Sequence, residues 1–90
     1  MAGHGAPSLA TSAIPDATGL KVTIVSGLWH HAIADGLLAG AHRVLAAANA
    51  DVTEVRVPGS FELPVAAKVA LDAGADAVVA LGVIIRGGTP

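Results

Sequence analysis

Residues 75–85, ADAVVALGVII, form a nearly continuous apolar run interrupted only by Asp76 and Gly82. A short run rich in β-branched residues suits a strand covered on both faces, as in a parallel sheet. The preceding residues 61–74 carry a helical period, with Leu63, Ala66, Ala67 and Ala70 at i, i+3, i+4 and i+7. Pro64 falls in the first turn of that helix, where a missing N–H does little harm. Residues 52–57, VTEVRV, alternate as a strand does and are punctuated by Pro58-Gly59. Residues 31–49 predict a longer helix, since Ile33, Leu37, Leu38, Ala41, Val44, Leu45 and Ala48 share about 140° of arc at roughly 100° per residue. Asp35, His42 and Asn49 fall opposite, on the face expected to be solvated. Lys21–Ser26, KVTIVS, reads as the first strand, ended by Gly27.

The resulting order, β-α-β-α-β, predicts an α/β domain with a parallel sheet and right-handed crossovers. Residues 1–20 carry Gly, Pro, Ser, Thr and Ala without a period and are expected to form a flexible N-terminal arm. Residues 21–90 then form the domain, which reads as incomplete. Arg86-Gly87-Gly88-Thr89-Pro90 is a helix-start signal with no helix behind it, and the apolar third strand would be left poorly covered. The competing reading is a complete three-strand domain that dimerises.

Composition narrows the function classes. The chain has 90 residues, 53% of them apolar, yet Trp29 and Phe61 are its only aromatic residues. A domain of this size buries only about 60–65% of its unfolded surface. With a net charge of −2 and no basic cluster, nucleic acid is not an expected partner. There is no cysteine, which removes disulfides, thiolate nucleophiles and thiolate metal sites. No apolar run approaches the roughly 20 residues that cross a bilayer. No basic region followed by an apolar core opens the chain, so a secretory signal is not expected, and the expectation is a cytoplasmic protein without a membrane partner.

In open parallel sheets ligands bind beyond the carboxyl ends of the strands. Here those ends are Gly27-Leu28-Trp29-His30, Pro58-Gly59-Ser60-Phe61-Glu62 and Val83-Ile84-Ile85-Arg86-Gly87-Gly88-Thr89. Each has two readings. Trp29 offers a flat face for stacking or plugs the end of the sheet. Ser60-Phe61-Glu62 opens a helix, where free N–H groups and a carboxylate can hold a polyhydroxy chain. Alternatively Ser60 is an N-cap and Glu62 a favourable charge on the helix dipole. Gly87-Gly88-Thr89 turns backbone N–H groups toward an anion such as phosphate, or is an ordinary turn. Arg86 pairs with an anion or with a surface carboxylate. His30 and His31 are adjacent and do not form an i, i+4 metal pair, so no metal site is expected. Lys68 and Asp72 are an i, i+4 pair in the weaker orientation. No G-x-G-x-x-G follows the first strand and there is no Walker loop. Ser26-Gly27 and Leu81-Gly82 stand where a response regulator needs acidic residues.

Taken together, IVSGLWHH, VRVPGSFELPVAA and AVVALGVIIRGGTP resemble the lumazine synthase family in order and spacing, over roughly Lys21 to Pro90. The resemblance implies a three-layer αβα sandwich with a flavodoxin-like sheet, of which this chain supplies the first β-α-β-α-β part. It also implies the penultimate reaction of riboflavin biosynthesis. There 5-amino-6-(ribitylamino)uracil and 3,4-dihydroxy-2-butanone 4-phosphate condense to 6,7-dimethyl-8-ribityllumazine, phosphate and water. An amine forms an imine with the ketone, phosphate is eliminated and the ring closes, with no metal or organic cofactor.

Carried over by position, the resemblance makes Trp29 the stacking partner of the pyrimidine. Ser60, Phe61 and Glu62 would hold the ribityl chain, and Val83, Ile84 and Ile85 would line the pyrimidine edge. Gly87, Gly88 and Thr89 would bind the phosphate. The family's proton-transferring histidine would stand immediately after Pro90, so the 90 residues alone contain no catalytic residue and are expected to lack turnover. The family assembles as homopentamers, some packed into shells of sixty subunits, with active sites between neighbours. Riboflavin synthase is its pathway partner. Two rival readings remain beside the enzyme. One is a non-catalytic module that binds a flavin-like or pteridine-like compound, and the other is a structural α/β subunit that self-associates through the third strand.

Overall fold

The computed structural model describes residues 14–28 and 32–83. Three parallel strands form one sheet: β1 (Lys21–Gly27), β2 (Asp51–Val57) and β3 (Ala77–Leu81), in the order β2-β1-β3. Helix α1 (Ala32–Ala47) joins β1 to β2, and a 3₁₀ turn (Ser60–Glu62) leads into α2 (Leu63–Asp72) before β3. The first connection steps one way across the sheet and the second steps back past β1. Right-handed crossovers therefore put α1 and α2 on opposite faces.

The register identifies what each face carries. Ile24 pairs with Glu54 and Val79, while Val25 pairs with Val55 and Ala80. Successive strand residues point to opposite faces. Leu63 and Ala66 of α2 pack with Val25, Val57 and Val78, which share one face. Glu54, on the other face, meets His42 of α1, with His42 Nε2 2.8 Å from Glu54 Oε1. Ile24 and Val25 are both fully buried.

Burial follows from strand position. Residues Val22 to Ser26 of β1 are all buried, because β1 has a strand on either side and a helix layer on either face. No residue of β3 is fully buried, although its sequence is the one that reads as doubly covered. Among the described residues β3 has a strand neighbour on one side only, and β1 is the strand that is covered on both faces.

Helix ends refine the expected boundaries. The first helix stops at Ala47 because Asn49 adopts a left-handed conformation, φ 63°. Asn49 N–H donates to Ala46 O at 3.1 Å and Ala50 N–H to Leu45 O at 3.1 Å, the paired bonds of a Schellman stop. Gly74, φ 111°, does the same for α2, with Gly74 N–H to Leu71 O and Ala75 N–H to Ala70 O. At the other end of α2, Pro64 has no N–H to give Ser60 O. Leu63 N–H takes that carbonyl instead, which makes the entry a 3₁₀ turn.

The apolar arc of α1 is wider than its contact with the sheet. Ile33, Leu37 and Val44 stay exposed, whereas Ala34, Leu38, Ala41 and Leu45 are half-buried. The packing face is rotated toward His42, whose side chain stays solvated, 43% exposed, while it bridges to Glu54 of β2. For α2 the expected stripe is the observed one, since Leu63, Ala66, Ala67 and Ala70 are its least exposed residues. Lys68 and Asp72 pair at 3.0 Å with both side chains in water, a contact worth little.

Before β1, Ala17 N–H donates to Ala48 O at 2.6 Å, and Asp16 Oδ1 accepts from Thr18 and from Asn49. These bonds hold the Asp16 carboxyl below its ordinary pKa, the Thr18 hydroxyl contributing most. Asp76 closes the start of the sheet, accepting from Lys21 N–H at 2.8 Å and returning its own N–H to Lys21 O at 2.8 Å.

Two outcomes are expected. Ile24→Ala removes a fully buried side chain and lowers stability by about 2–5 kcal/mol in urea unfolding. Glu54 has its pKa lowered first by the hydrogen bond from Arg56 and then by that from His42. A carboxyl that is more acidic folded than unfolded stabilises the fold above its unfolded pKa, and the contribution is lost as pH falls through the folded value. Glu54→Gln therefore lowers the urea midpoint at about pH 7, and the deficit narrows toward about pH 3.

Candidate substrate-binding rim

Because all three strands run in the same direction, their carboxyl ends lie on one rim. Leu28 N–H donates to Val57 O at 2.8 Å, so β1 and β2 leave the sheet side by side. From Val57 the chain passes Pro58 and Gly59 into the 3₁₀ turn that carries Ser60, Phe61 and Glu62. Glu62 N–H donates to Gly59 O at 3.1 Å, and the Glu62 carboxylate folds back over the same glycine. A Cβ on Gly59 would stand 3.2 Å from Glu62 Oε2.

The reading of Ser60 as an N-cap does not hold. Neither the 3₁₀ turn nor α2 has a side-chain cap bond, and Ser60 Oγ instead donates to Val83 O at 3.5 Å. Gly59 stands at the cap position of the 3₁₀ turn, and the Ser60 hydroxyl lies toward the end of β3. The rim's second and third segments are joined by that contact. Phe61 is 94% exposed, so its ring is anchored by nothing within the described chain and stands free as a contact surface.

Gly82 permits the approach. A Cβ there would lie 2.8 Å from Leu63 Cδ1 and 3.2 Å from Ser60 Oγ. Leu63 is buried in the core, so it cannot yield readily. A glycine at this point lets the start of α2 close on the end of β3.

Ser60, Phe61, Glu62 and Val83 are thus within the described rim, and Ser60 and Val83 are brought together. Trp29, Ile84, Ile85, Gly87, Gly88 and Thr89, with Arg86, lie outside the described residues. The rim can offer a hydroxyl, a carboxylate, a free aromatic face and strand-end carbonyls, a set suited to a polyhydroxy chain beside a flat ring. Among the described residues no group of three or more His, Asp or Glu could hold a metal ion, and no helix is long and apolar enough to cross a membrane.

Residues 19–90 match the profile of the family described as 6,7-dimethyl-8-ribityllumazine synthase. The chain belongs to that family. Curated relatives of the same name align over the whole chain. The protein of Clavibacter sepedonicus is 69% identical over 90 residues, which cover 56% of its length. That of Leifsonia xyli subsp. xyli is 67% identical over 90 residues and 56% of its length. That of Streptomyces coelicolor is 52% identical over 91 residues and 55% of its length. The chain therefore spans a little over half the length of the lumazine synthases it matches.

Two rim-shaping groups escaped the sequence reading. Gly82 looked like simple punctuation of a strand, and only the facing Leu63 gives it a role. Glu54 and Arg56 are joined at 2.7 Å, and Arg56 reaches on to Gly27 O at 3.1 Å. Opposite charges two apart in a strand share a face, so that pair was legible in VTEVRV.

Gly82→Ala is expected to cost about 1–3 kcal/mol from overpacking against Leu63, read as a lower thermal midpoint. Leu63→Ala in the same chain should recover part of the Gly82→Ala strain, leaving the double variant less destabilised than the sum of the two single changes.

Proposed function

We propose that the whole protein carrying this chain condenses 5-amino-6-(ribitylamino)uracil with 3,4-dihydroxy-2-butanone 4-phosphate to 6,7-dimethyl-8-ribityllumazine. The family match over residues 19–90 carries this reading, and the Ser60–Val83 contact on the rim supports it. In it, residues 21–90 are the first part of the synthase domain and residues 1–20 an arm that precedes it. The protein is a cytoplasmic homo-oligomer built from pentamers, with riboflavin synthase acting on its product.

The division of labour follows the rim. Trp29 stacks on the pyrimidine, whose edge meets the backbone of Val83, Ile84 and Ile85. Ser60 and Glu62 exchange hydrogen bonds with the ribityl hydroxyls while the exposed Phe61 ring covers the chain. Gly87, Gly88 and Thr89 hold the phosphate through backbone N–H groups, so that the leaving group departs into donors already in place. Proton transfer falls to a histidine after Pro90. Positioning of two substrates on one rim supplies the entropic part of the acceleration.

The test is product formation by the full-length protein given both substrates, followed optically as the lumazine appears. Turnover is expected, and its absence with both substrates bound would favour a binding module. Glu62→Gln should lower kcat/KM by about ten- to a hundredfold, the effect of losing hydrogen bonds to a charged group. Trp29→Ala should raise KM for the pyrimidine substrate with little change for the phosphate substrate.

A further inference from the structure

Each polar side chain of the 3₁₀ turn lies over a glycine. A Cβ on Gly59 would stand 3.2 Å from Glu62 Oε2, and one on Gly82 would stand 3.2 Å from Ser60 Oγ and 2.8 Å from Leu63 Cδ1. Ordinary van der Waals contact begins at 3.4 Å, so at both positions a side chain would displace what now lies there. The backbone does not ask for glycine at either point. Gly59 is extended, with φ −155° and ψ 170°, and Gly82 lacks the positive φ that Gly19 and Gly74 adopt. Neither position needs the left-handed freedom of glycine. What the two positions supply is space.

The two spaces are bordered differently. Over Gly59 lies only the tip of the Glu62 side chain, so a methyl group there moves a carboxylate and leaves the core alone. Over Gly82 lie Leu63, which is buried with Val25 and Val57, and the Ser60 hydroxyl, which donates to Val83 O at 3.5 Å. A methyl group there pushes the whole turn from the end of β3 and breaks a bond that is already long. One glycine thus precedes the turn and the other faces it from β3. Between them they fix where the hydroxyl and the carboxylate stand relative to each other and to Val83.

We infer that Gly59 and Gly82 are positioning residues that determine specificity for a polyhydroxy chain: they seat the Glu62 carboxylate and the Ser60 hydroxyl and so set the spacing of the polar groups that the rim presents beside Val83. The inference rests on the proposed binding of the ribityl chain by Ser60 and Glu62. It goes further by assigning the choice of that chain to two residues that offer the ligand no side chain. Hydrogen bonds between oxygens hold only over about 2.5–3.0 Å, so displacing either group by a few tenths of an ångström costs affinity for a chain of fixed hydroxyl spacing. The phosphate substrate is held by neither group in this arrangement and should not sense the change.

The experiment uses the full-length protein and the variants Gly59→Ala, Gly82→Ala and Gly36→Ala. The last is the control, because a Cβ on Gly36 of α1 meets nothing within 4 Å. KM is measured for each substrate separately, together with the thermal midpoint. Gly82→Ala should raise KM for the pyrimidine substrate on the order of tenfold, and Gly59→Ala about threefold, the scale of hydrogen bonds lost or weakened at a charged or hydroxyl group. KM for the phosphate substrate should move by less than about twofold in both, and Gly36→Ala should change neither value. The midpoint of Gly59→Ala should not fall, which separates seating of the carboxylate from loss of fold; this variant carries the test if Gly82→Ala does not fold. Equal rises in both KM values, or an unchanged pyrimidine KM in Gly59→Ala, would overturn the inference. If the parent protein turns over neither substrate, the functional reading has failed instead. Crystal structures of the variants then decide the inference alone. A Glu62 carboxylate turned away from position 59, or a Ser60 Oγ out of reach of Val83 O, sustains it, and both groups left unmoved overturn it.

Discussion

Strand β1 is the element to which everything else in the described chain is referred. Among the described residues it alone has a paired strand on each side, and the side chains of Ile24 and Val25 point to opposite faces, both without access to water. Fully burying an aliphatic side chain of this size contributes about 1.5–3 kcal/mol. Here two adjacent residues do so toward two different helix layers. Each ladder also fixes register, because slipping β2 or β3 by one residue would turn its apolar side chains to the wrong face. The rim inherits its geometry from that register, since the three carboxyl ends are level only when the ladders are aligned.

What the rim then needs is closeness without strain. Gly82 admits Leu63 and Ser60, and the Ser60 hydroxyl meets the Val83 carbonyl. Arg56 donates to the Gly27 carbonyl just past the described end of the β1–β3 ladder. Each of these is a local solution to a backbone group or a volume that the regular sheet leaves unresolved at its end. They lie where ligands bind in such folds because the ends of strands are where unpaired backbone groups collect.

The exposed apolar residues form a contrasting set. Phe61, Val65, Val69 and Leu71 lie along the α2 side, and Ile33, Leu37 and Val44 along α1. The lumazine synthases that the chain matches are longer than it is by nearly half of their own length. In the proposed full-length assembly such surfaces have later elements and neighbouring subunits to meet, and the aliphatic character of both helices suits close packing.

The order of elements, the parallel sheet and the buried stripe of α2 were legible in the residues alone, because period and punctuation are local properties. Leu63, Ala66, Ala67 and Ala70 repeat at helical spacing whatever surrounds them, and Gly74 ends its helix through backbone conformation. The helix entry at Ser60–Glu62 was legible for the same reason. Tertiary structure alone decided which strand is central, because the apolar run at 75–85 looks more deeply buried than β1, yet burial depends on neighbours and not on composition. It also decided that Ser60 faces Val83, that His42 turns to Glu54, and that Arg56 completes the end of β1. Those contacts join residues 12 to 29 positions apart, and their existence depends on the strand order, which no local pattern carries.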